Sequence, residues 1–266
     1  MIKKVVVVTG ASSGIGFATA KMFADKGYEV YGLSRTRIEG APFNQINVDV
    51  NDDASVTAAI SEVIKSAEHI DILFNNAGFS LLGATEESSM KQIKSVFETN
   101  FFGAVRMVNA VLPIMRGQKS GLIINSSSVA GLVAAPYMAY YAASKHALEA
   151  YSESLDHEVR KLGIRSVLIE PGFMKTSLGA HQPVPDNPKS IYTSARKRIE
   201  GIVEKGISGS PDPIAVAKKV LCVSKTRCPK VRYTVGVDAK IFTNLRRFLP
   251  ASLFDSMLRS VYKLNH

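Results

Sequence analysis

Apolar residues fall in short, dense runs along the chain, at Lys4–Val8, Tyr28–Ser34, Gln45–Val48, Asp71–Phe74, Gly121–Asn125, Ile164–Ile169 and Val231–Val235. The runs are rich in Val and Ile and hardly alternate with polar positions, the pattern of strands covered on both faces. Between them apolar positions recur every three or four residues, which predicts helices over Ile15–Lys26, Ala54–Ala67, Ser89–Met115 and Tyr141–Leu162, the last stopped by Gly163. Strands joined by helices require right-handed parallel crossovers. The fold class is therefore α/β, a doubly wound parallel sheet with helices on both faces. No change of composition marks a second domain, and residues 1–266 are expected to form one. The stretch 179–213, which carries Pro183, Pro185, Pro188, Pro211 and Pro213, reads as an insertion that caps a site.

Composition narrows the class. With 46% apolar and 21% charged residues in 266, the chain can build a core, and its 19 glycines and 11 prolines exclude collagen-like and low-complexity types. Cys222 and Cys228, with five residues between them, make neither a disulfide framework nor a zinc spacing, and the histidines form no metal-ligand pair. A reducing, cytoplasmic setting and no bound metal are expected. The apolar run after Lys3 and Lys4 is too short for a secretion signal, and no run approaches the ~20 residues of a membrane span.

The net charge is +10, and eleven lysines and arginines face only Asp238 and Asp255 between Ala217 and His266. No aromatic-and-basic nucleic-acid motif accompanies this charge, so it reads as a solvated rim and no nucleic-acid partner is expected.

The first strand runs into Thr9-Gly10-Ala11-Ser12-Ser13-Gly14-Ile15-Gly16, a glycine-rich turn that opens a helix. Gly10 permits the tight turn, Gly14 lets backbone approach a pyrophosphate, Gly16 allows close helix packing, and the helix N-terminus offers amides and a positive dipole end. The second strand ends in Ser34-Arg35-Thr36-Arg37 without the acid that would grip a ribose 2′-hydroxyl. A hydroxyl and two guanidinium groups there suit a 2′-phosphate, so the expected cofactor is NADP(H). Asp49 and Val50 after the third strand, and Asn76, Ala77 and Gly78 after the fourth, sit at carboxyl ends of strands, where open parallel sheets bind ligands.

Tyr141 and Lys145 share one helical face at a spacing of four. An ammonium near a phenol is expected to lower its pKa from about 10 and make Tyr141 a usable acid and base. Ser126-Ser127-Ser128 ends the fifth strand, where a hydroxyl can polarise a substrate carbonyl.

These residues together resemble the short-chain dehydrogenase/reductases in their commonest subgroup of about 250 residues. The motifs occur in order over roughly residues 3 to 178: TGxxxGxG at Thr9–Gly16, NNAG at Asn75–Gly78, Asn100, Ser128, YxxxK at Tyr141–Lys145, and Pro171-Gly172 followed by Thr176. The resemblance implies a Rossmann-type sheet of seven strands ordered 3-2-1-4-5-6-7, and hydride transfer between a nicotinamide and a carbonyl or alcohol carbon. It further implies Tyr141 as general acid/base, Lys145 as holder of the nicotinamide ribose, Ser128 as the carbonyl-polarising group, and Asn100 as support of a water-linked relay to Lys145. Pro171, Gly172 and Thr176 would line the nicotinamide. A homodimer or homotetramer is the family habit.

Beyond the matched region, residues 240–266 read as an amphipathic C-terminal extension in which Leu253, Phe254, Met257, Leu258 and Val261 share a helical face. Three readings stay open for it: a wall over a lipophilic small-molecule substrate, which is favoured, a dimer contact, or a peripheral membrane contact. The expected function is that of an NADP(H)-dependent oxidoreductase acting on a steroid-, retinoid- or long-chain-like ketone, aldehyde or alcohol. The alternative is a non-catalytic NADP(H)-binding regulatory protein that docks a partner through its basic C-terminal region.

Overall fold

A computed structural model describes residues 3–176 and 183–264. Strands β1 (Val5–Thr9), β2 (Glu29–Ser34), β3 (Asn44–Asn47), β4 (Ile72–Asn75), β5 (Gly121–Ser126), β6 (Ile164–Pro171) and β7 (Arg232–Val235) form one sheet in the order β3-β2-β1-β4-β5-β6-β7. Every neighbouring pair is parallel. The expected strand order and Rossmann-type α/β class are thus observed.

The uninterrupted valines of β1 have a simple cause. Val5 and Val7 pack with Leu73, Ile123, Met107 and Leu155 on one face, while Val6 and Val8 pack with Phe74, Ile124, Phe23 and Val216 on the other. Each fully buried valine contributes about 1.5–3 kcal/mol, so a polar residue at any of the four positions would be costly.

Helices α1 (Gly14–Asp25) and α7 (Ile214–Ser224) cover one face, and α2 (Asp53–Ala67), α4 (Gly103–Gln118) and α5 (Ala139–Val159) the other. Buried Asp156 ties α5 to β6: its carboxylate accepts from Arg165 Nε at 2.8 Å and from the Ser166 amide at 3.0 Å, and pairs with Arg160. The chain returns from β3 to β4 on the far side of β1, so a crevice opens at the carboxyl ends of β1 and β4, the place where such sheets bind nucleotides.

The helix expected over Ser89–Met115 runs unbroken from Met90 to Gln118 but is not α-helical throughout: it comprises α3 (Met90–Phe97), a π-turn at Glu98–Phe102, and α4. The insertion at 179–213 is more than a proline-bearing loop, because α6 (Thr193–Ser208) occupies much of it; its first part lies outside the described residues. Buried Glu87 anchors it, accepting from the Ala84 and Lys189 amides at 2.9 Å each and pairing with Arg196 of α6. The C-terminal extension is two helices, α8 (Val237–Phe248) and α9 (Ala251–Val261). The apolar face expected on α9 is divided: Phe254 is buried and Leu258 half-buried, while Leu253 and Val261 face outward.

Candidate active site

Backbone geometry explains the glycine turn. Gly10 (φ +65°) and Gly14 (φ +53°) adopt left-handed conformations that side chains disfavour. At Gly16 a Cβ would lie inside van der Waals contact of the Gly10 carbonyl, so the helix starts pressed against its own turn. Helix α1 has neither a side-chain cap from Ser13 nor an acid in its first turn. Its free amides are those an anion would take.

Thr9 Oγ1 joins this turn to β4 by accepting from the amides of Asn76 (2.9 Å) and Ala77 (3.0 Å), a coupling role the sequence reading did not assign. Asn75, by contrast, is structural. It is buried and donates to Asn125 Oδ1 at 2.9 Å.

The groove above this crevice is lined by the expected residues of the turn, Gly10, Ser12, Ser13, Gly14 and Ile15, while Gly16 lies beneath it. Asp49, Val50, Asn76, Ala77 and Gly78 line it as well, with Thr176 standing over Gly14. At the β2 end Ser34 and Arg35 border the groove, and the Ser34 hydroxyl donates to the Thr36 carbonyl at 2.7 Å. Arg35 is exposed and makes no ion pair among the described residues. Arg37, expected beside it, is exposed and does not line the groove, because the turn carries it outward.

A second, apolar pocket meets the groove at Ile15, Asn76, Gly78, Phe79 and Thr176. Its floor holds Ser128, Tyr141, Lys145, Pro171 and Gly172, and Phe173, Val203, Ile207, Phe242, Leu258 and Tyr262 wall it. Five of those wall residues come from α6 and the C-terminal segment. Asp238 of α8 also fixes the floor. Its carboxylate accepts from the Phe173 amide at 2.7 Å and fills the space a Cβ on Gly172 would need. Nothing in the sequence pairs Asp238 with position 172, which is why it was not singled out.

Tyr141 is buried, with the Ser128 hydroxyl beside its phenol on the pocket floor. Lys145 is buried one turn further along α5; its Nζ lies 5.9 Å from the Tyr141 ring centroid and donates to the Ser126 carbonyl at 2.7 Å. The expected lowering of the phenol pKa by the ammonium is not what the geometry produces. Burial raises the Tyr141 pKa and the Ser128 hydrogen bond offsets only part of that, while burial pulls Lys145 down to about 8 against the opposing pull of Glu149. Desolvation outweighs the charge because the ammonium is directed at a carbonyl rather than at the phenol.

Asn100 sits in the π-turn, where one extra residue turns its side chain toward the crevice. Its Oδ1 accepts from the Phe79 amide, and its Nδ2 donates to the Phe79 carbonyl (2.9 Å) and to Ser144 Oγ (3.1 Å). Both amide hydrogens are thereby used, while Oδ1 keeps a second lone pair. Asn100 and Lys145 converge on Gly78, where a Cβ would come within 2.9 Å of Asn100 Oδ1 and 3.7 Å of Lys145 Nζ.

The geometry thus sets a phenol, a hydroxyl and an ammonium at the junction of an anion-cradling groove and an apolar pocket. The sequence model of the short chain dehydrogenase family matches residues 4–185. The chain belongs to the short-chain dehydrogenase/reductase family. It is 32% identical over 265 residues to a probable short-chain type dehydrogenase/reductase VdlC of Helicobacter pylori, covering 96% of each chain. It is 33% identical over 268 residues to a 3-ketodihydrosphingosine reductase of Bacteroides thetaiotaomicron, covering 99% of this chain and 100% of the other. A crystal structure of a short-chain dehydrogenase from Streptomyces avermitilis superposes with a TM-score of 0.84 at 29% identity, over 98% and 97% of the two chains.

Solved structures similar to this chain hold either dinucleotide. One from Burkholderia phymatum is in complex with NAD (TM-score 0.77, 29% identity, 86% and 88% covered). A serine dehydrogenase is complexed with NADP+ (TM-score 0.76, 25% identity, 87% and 94% covered). The family establishes an oxidoreductase that uses a nicotinamide dinucleotide. Among the described residues no helix is long and apolar enough to cross a membrane.

Proposed function

We propose that this chain is an NADP(H)-dependent oxidoreductase that interconverts a carbonyl and an alcohol on a lipophilic substrate, with Tyr141 as general acid/base. The observation that carries the reading is the placement of the buried Tyr141 phenol, with the Ser128 hydroxyl beside it, on the floor of an apolar pocket that opens into the nucleotide groove. The bound nicotinamide supplies or accepts the hydride. The residues of the groove fit such a group: glycines where a Cβ would intrude, uncapped amides at the start of α1, and, beside Ser34, an Arg35 that has no ion pair among the described residues, for a 2′-phosphate.

In the reductive direction Ser128 orients and polarises the substrate carbonyl, and Tyr141 delivers its proton to the oxygen as negative charge develops. The raised phenol pKa keeps that proton in place until the acceptor becomes basic. In the oxidative direction the same oxygen takes the alcohol proton. Lys145 would hold the ribose of the dinucleotide, and Pro171, Gly172 and Thr176 would line its nicotinamide. Asn100 fixes the 78–79 backbone and supports a water-linked relay to Lys145. The wall of Phe173, Val203, Ile207, Phe242, Leu258 and Tyr262 favours an apolar ketone, aldehyde or alcohol. The 3-ketodihydrosphingosine reductase similarity is consistent with a long-chain substrate. In this reading residues 1–266 act as one domain whose 179–213 and 240–266 segments cap the substrate.

Purified protein should consume NADPH with members of a panel of steroids, retinoids, fatty aldehydes and long-chain ketones, followed by loss of nicotinamide absorbance. Tyr141→Phe should abolish that turnover while leaving dinucleotide binding intact. Full activity in the variant would overturn the assignment.

A further inference from the structure

Helices α8 and α9 each have one face with a task and one without. Phe242 of α8, Leu258 of α9 and Tyr262 just beyond it turn inward onto the substrate pocket. The outward side is a different surface. Val237 and Phe248 are 74% exposed, Leu253 59% and Ile241 51%, so nothing among the described residues covers them.

These side chains are ordered by the helix. Val237, Ile241 and Phe248 stand four and seven residues apart and form one row along α8, while Leu253 and Val261 repeat on the outward side of α9 with half-buried Met257 between them. A single exposed leucine or valine needs no explanation. Apolar rows on two consecutive helices do.

Cations border the α8 row. Lys240 and Arg247 each precede a member of it, Ile241 and Phe248, and so lie along the same edge; the Arg247 guanidinium sits 5.5 Å from the centroid of the Phe248 ring. Arg246 reaches from α8 to the Phe254 ring of α9, 5.4 Å from its centroid. Of the segment's five cations only Arg259 is paired, with Asp255 at 3.0 Å; Lys240, Arg246, Arg247 and Lys263 have no ion pair among the described residues. The other acid, Asp238, is turned inward to the Phe173 amide.

This combination selects its partner. A second copy of the chain, meeting this one through the same patch about a twofold axis, would bring uncompensated cations face to face. An acidic protein surface would satisfy the cations but give the apolar row nothing to enter. An anionic bilayer meets both requirements, since its phosphates take the cations and its acyl boundary takes an apolar helix face to a depth of about 5–10 Å.

We propose that α8 and α9 dock this protein peripherally on a negatively charged membrane surface. Val237, Ile241, Phe248 and Leu253 enter the acyl boundary, Lys240 and Arg247 meet lipid phosphates along the edge of the row, and Arg246 and Lys263 add attraction at longer range. The same helices wall the substrate pocket from within, so docking brings that pocket against the phase in which a lipophilic substrate dissolves. This purpose rests on the proposed function; the docking itself does not.

The test is sedimentation of the full chain with vesicles of phosphatidylcholine alone or mixed with an equal part of phosphatidylglycerol. Wild type should bind the mixed vesicles at least about tenfold better than the neutral ones, and high salt should release it. Lys240→Glu with Arg247→Glu should weaken that binding by about 25-fold or more, since removing each charge is worth roughly fivefold. Phe248→Ser should weaken it about tenfold or more. The chain has no tryptophan, so Phe248→Trp adds a single emitter whose spectrum should shift to the blue on the mixed vesicles. Dinucleotide binding in the distant groove checks that each variant is folded.

No preference for mixed vesicles in the wild type, undiminished binding in either variant, or an unshifted spectrum in Phe248→Trp overturns the proposal. So does a change of oligomeric state in Phe248→Ser without vesicles, which assigns the face to a second copy. Turnover without vesicle binding counts against the docking alone. Vesicle binding without turnover of any lipophilic carbonyl counts against the proposed function alone.

Discussion

The side chain of Asn100 pairs with the backbone of Phe79 as a neighbouring strand would, accepting from its amide and donating to its carbonyl at 2.9 Å each. A π-turn, normally an irregularity in a helix, thus serves as the clamp on the loop that carries Gly78 between the nucleotide groove and the substrate pocket.

Removing the clamp has a defined consequence. Asn100→Ala leaves the Phe79 amide and carbonyl without their partners, and a stability loss of about 1–3 kcal/mol is expected for such a group. Denaturant unfolding should show it, together with weaker dinucleotide binding measured calorimetrically. Unchanged binding in the variant would refute the clamping role.

Gly14 and Gly16 should respond differently to alanine. At Gly16 the methyl group would collide with the Gly10 carbonyl, a backbone atom that can move only if the turn opens. Gly16→Ala should therefore lose dinucleotide binding outright. At Gly14 a Cβ meets Thr176 at an ordinary 3.5 Å, so Gly14→Ala pays chiefly for the left-handed backbone, about 1–2 kcal/mol. Equal binding defects in the two variants would contradict the difference in packing.

Arg35 is exposed at the β2 end of the groove with no competing ion pair among the described residues. Wild-type protein should bind NADPH more tightly than NADH. Arg35→Ala should narrow the gap by roughly tenfold, the loss expected for one charge-assisted hydrogen bond. Competitive binding of the two dinucleotides checks this, and no preference in the wild type would sink it. Arg37→Ala, by the same geometry, should change the ratio little.

Glu170 offers a test in stability rather than turnover. Its folded pKa, raised to about 8, exceeds the ordinary carboxyl value of 4.5, so the folded state binds the proton more tightly than the unfolded chain. That stabilising contribution is complete below about pH 4.5 and is lost as pH rises through 8. Glu170→Gln mimics the protonated acid and should flatten the decline in unfolding free energy between these limits. The slopes of wild type and variant, obtained by denaturant titration at successive pH values, should differ; parallel curves would refute the assignment.

The residues that were legible in the sequence are those whose requirement is local. Gly10 and Gly16 answer to the backbone of one turn, and the four-residue step from Tyr141 to Lys145 answers to the pitch of one helix. The seven strands announced themselves because a strand buried on both faces must be apolar throughout, as β1 is. The π-turn left no such mark. Ser89–Met115 has the periodicity of a continuous helix, and the extra residue that turns Asn100 toward Phe79 becomes visible only once both are in place.

Pairings between distant segments were likewise invisible: Asp238 with the Phe173 amide, Arg232 with Glu149 and Glu170, and the phenol and ammonium of α5 directed at different serines rather than at each other. The amino-acid order by itself determined the sheet, the anion-cradling turn and the chemical groups available, since each follows from short-range sterics and burial. The tertiary structure decided the direction of each pKa and the partner of each polar group. Desolvation and hydrogen bonding depend on which side chains close around a site, and those side chains arrive from strands and helices far apart in the chain.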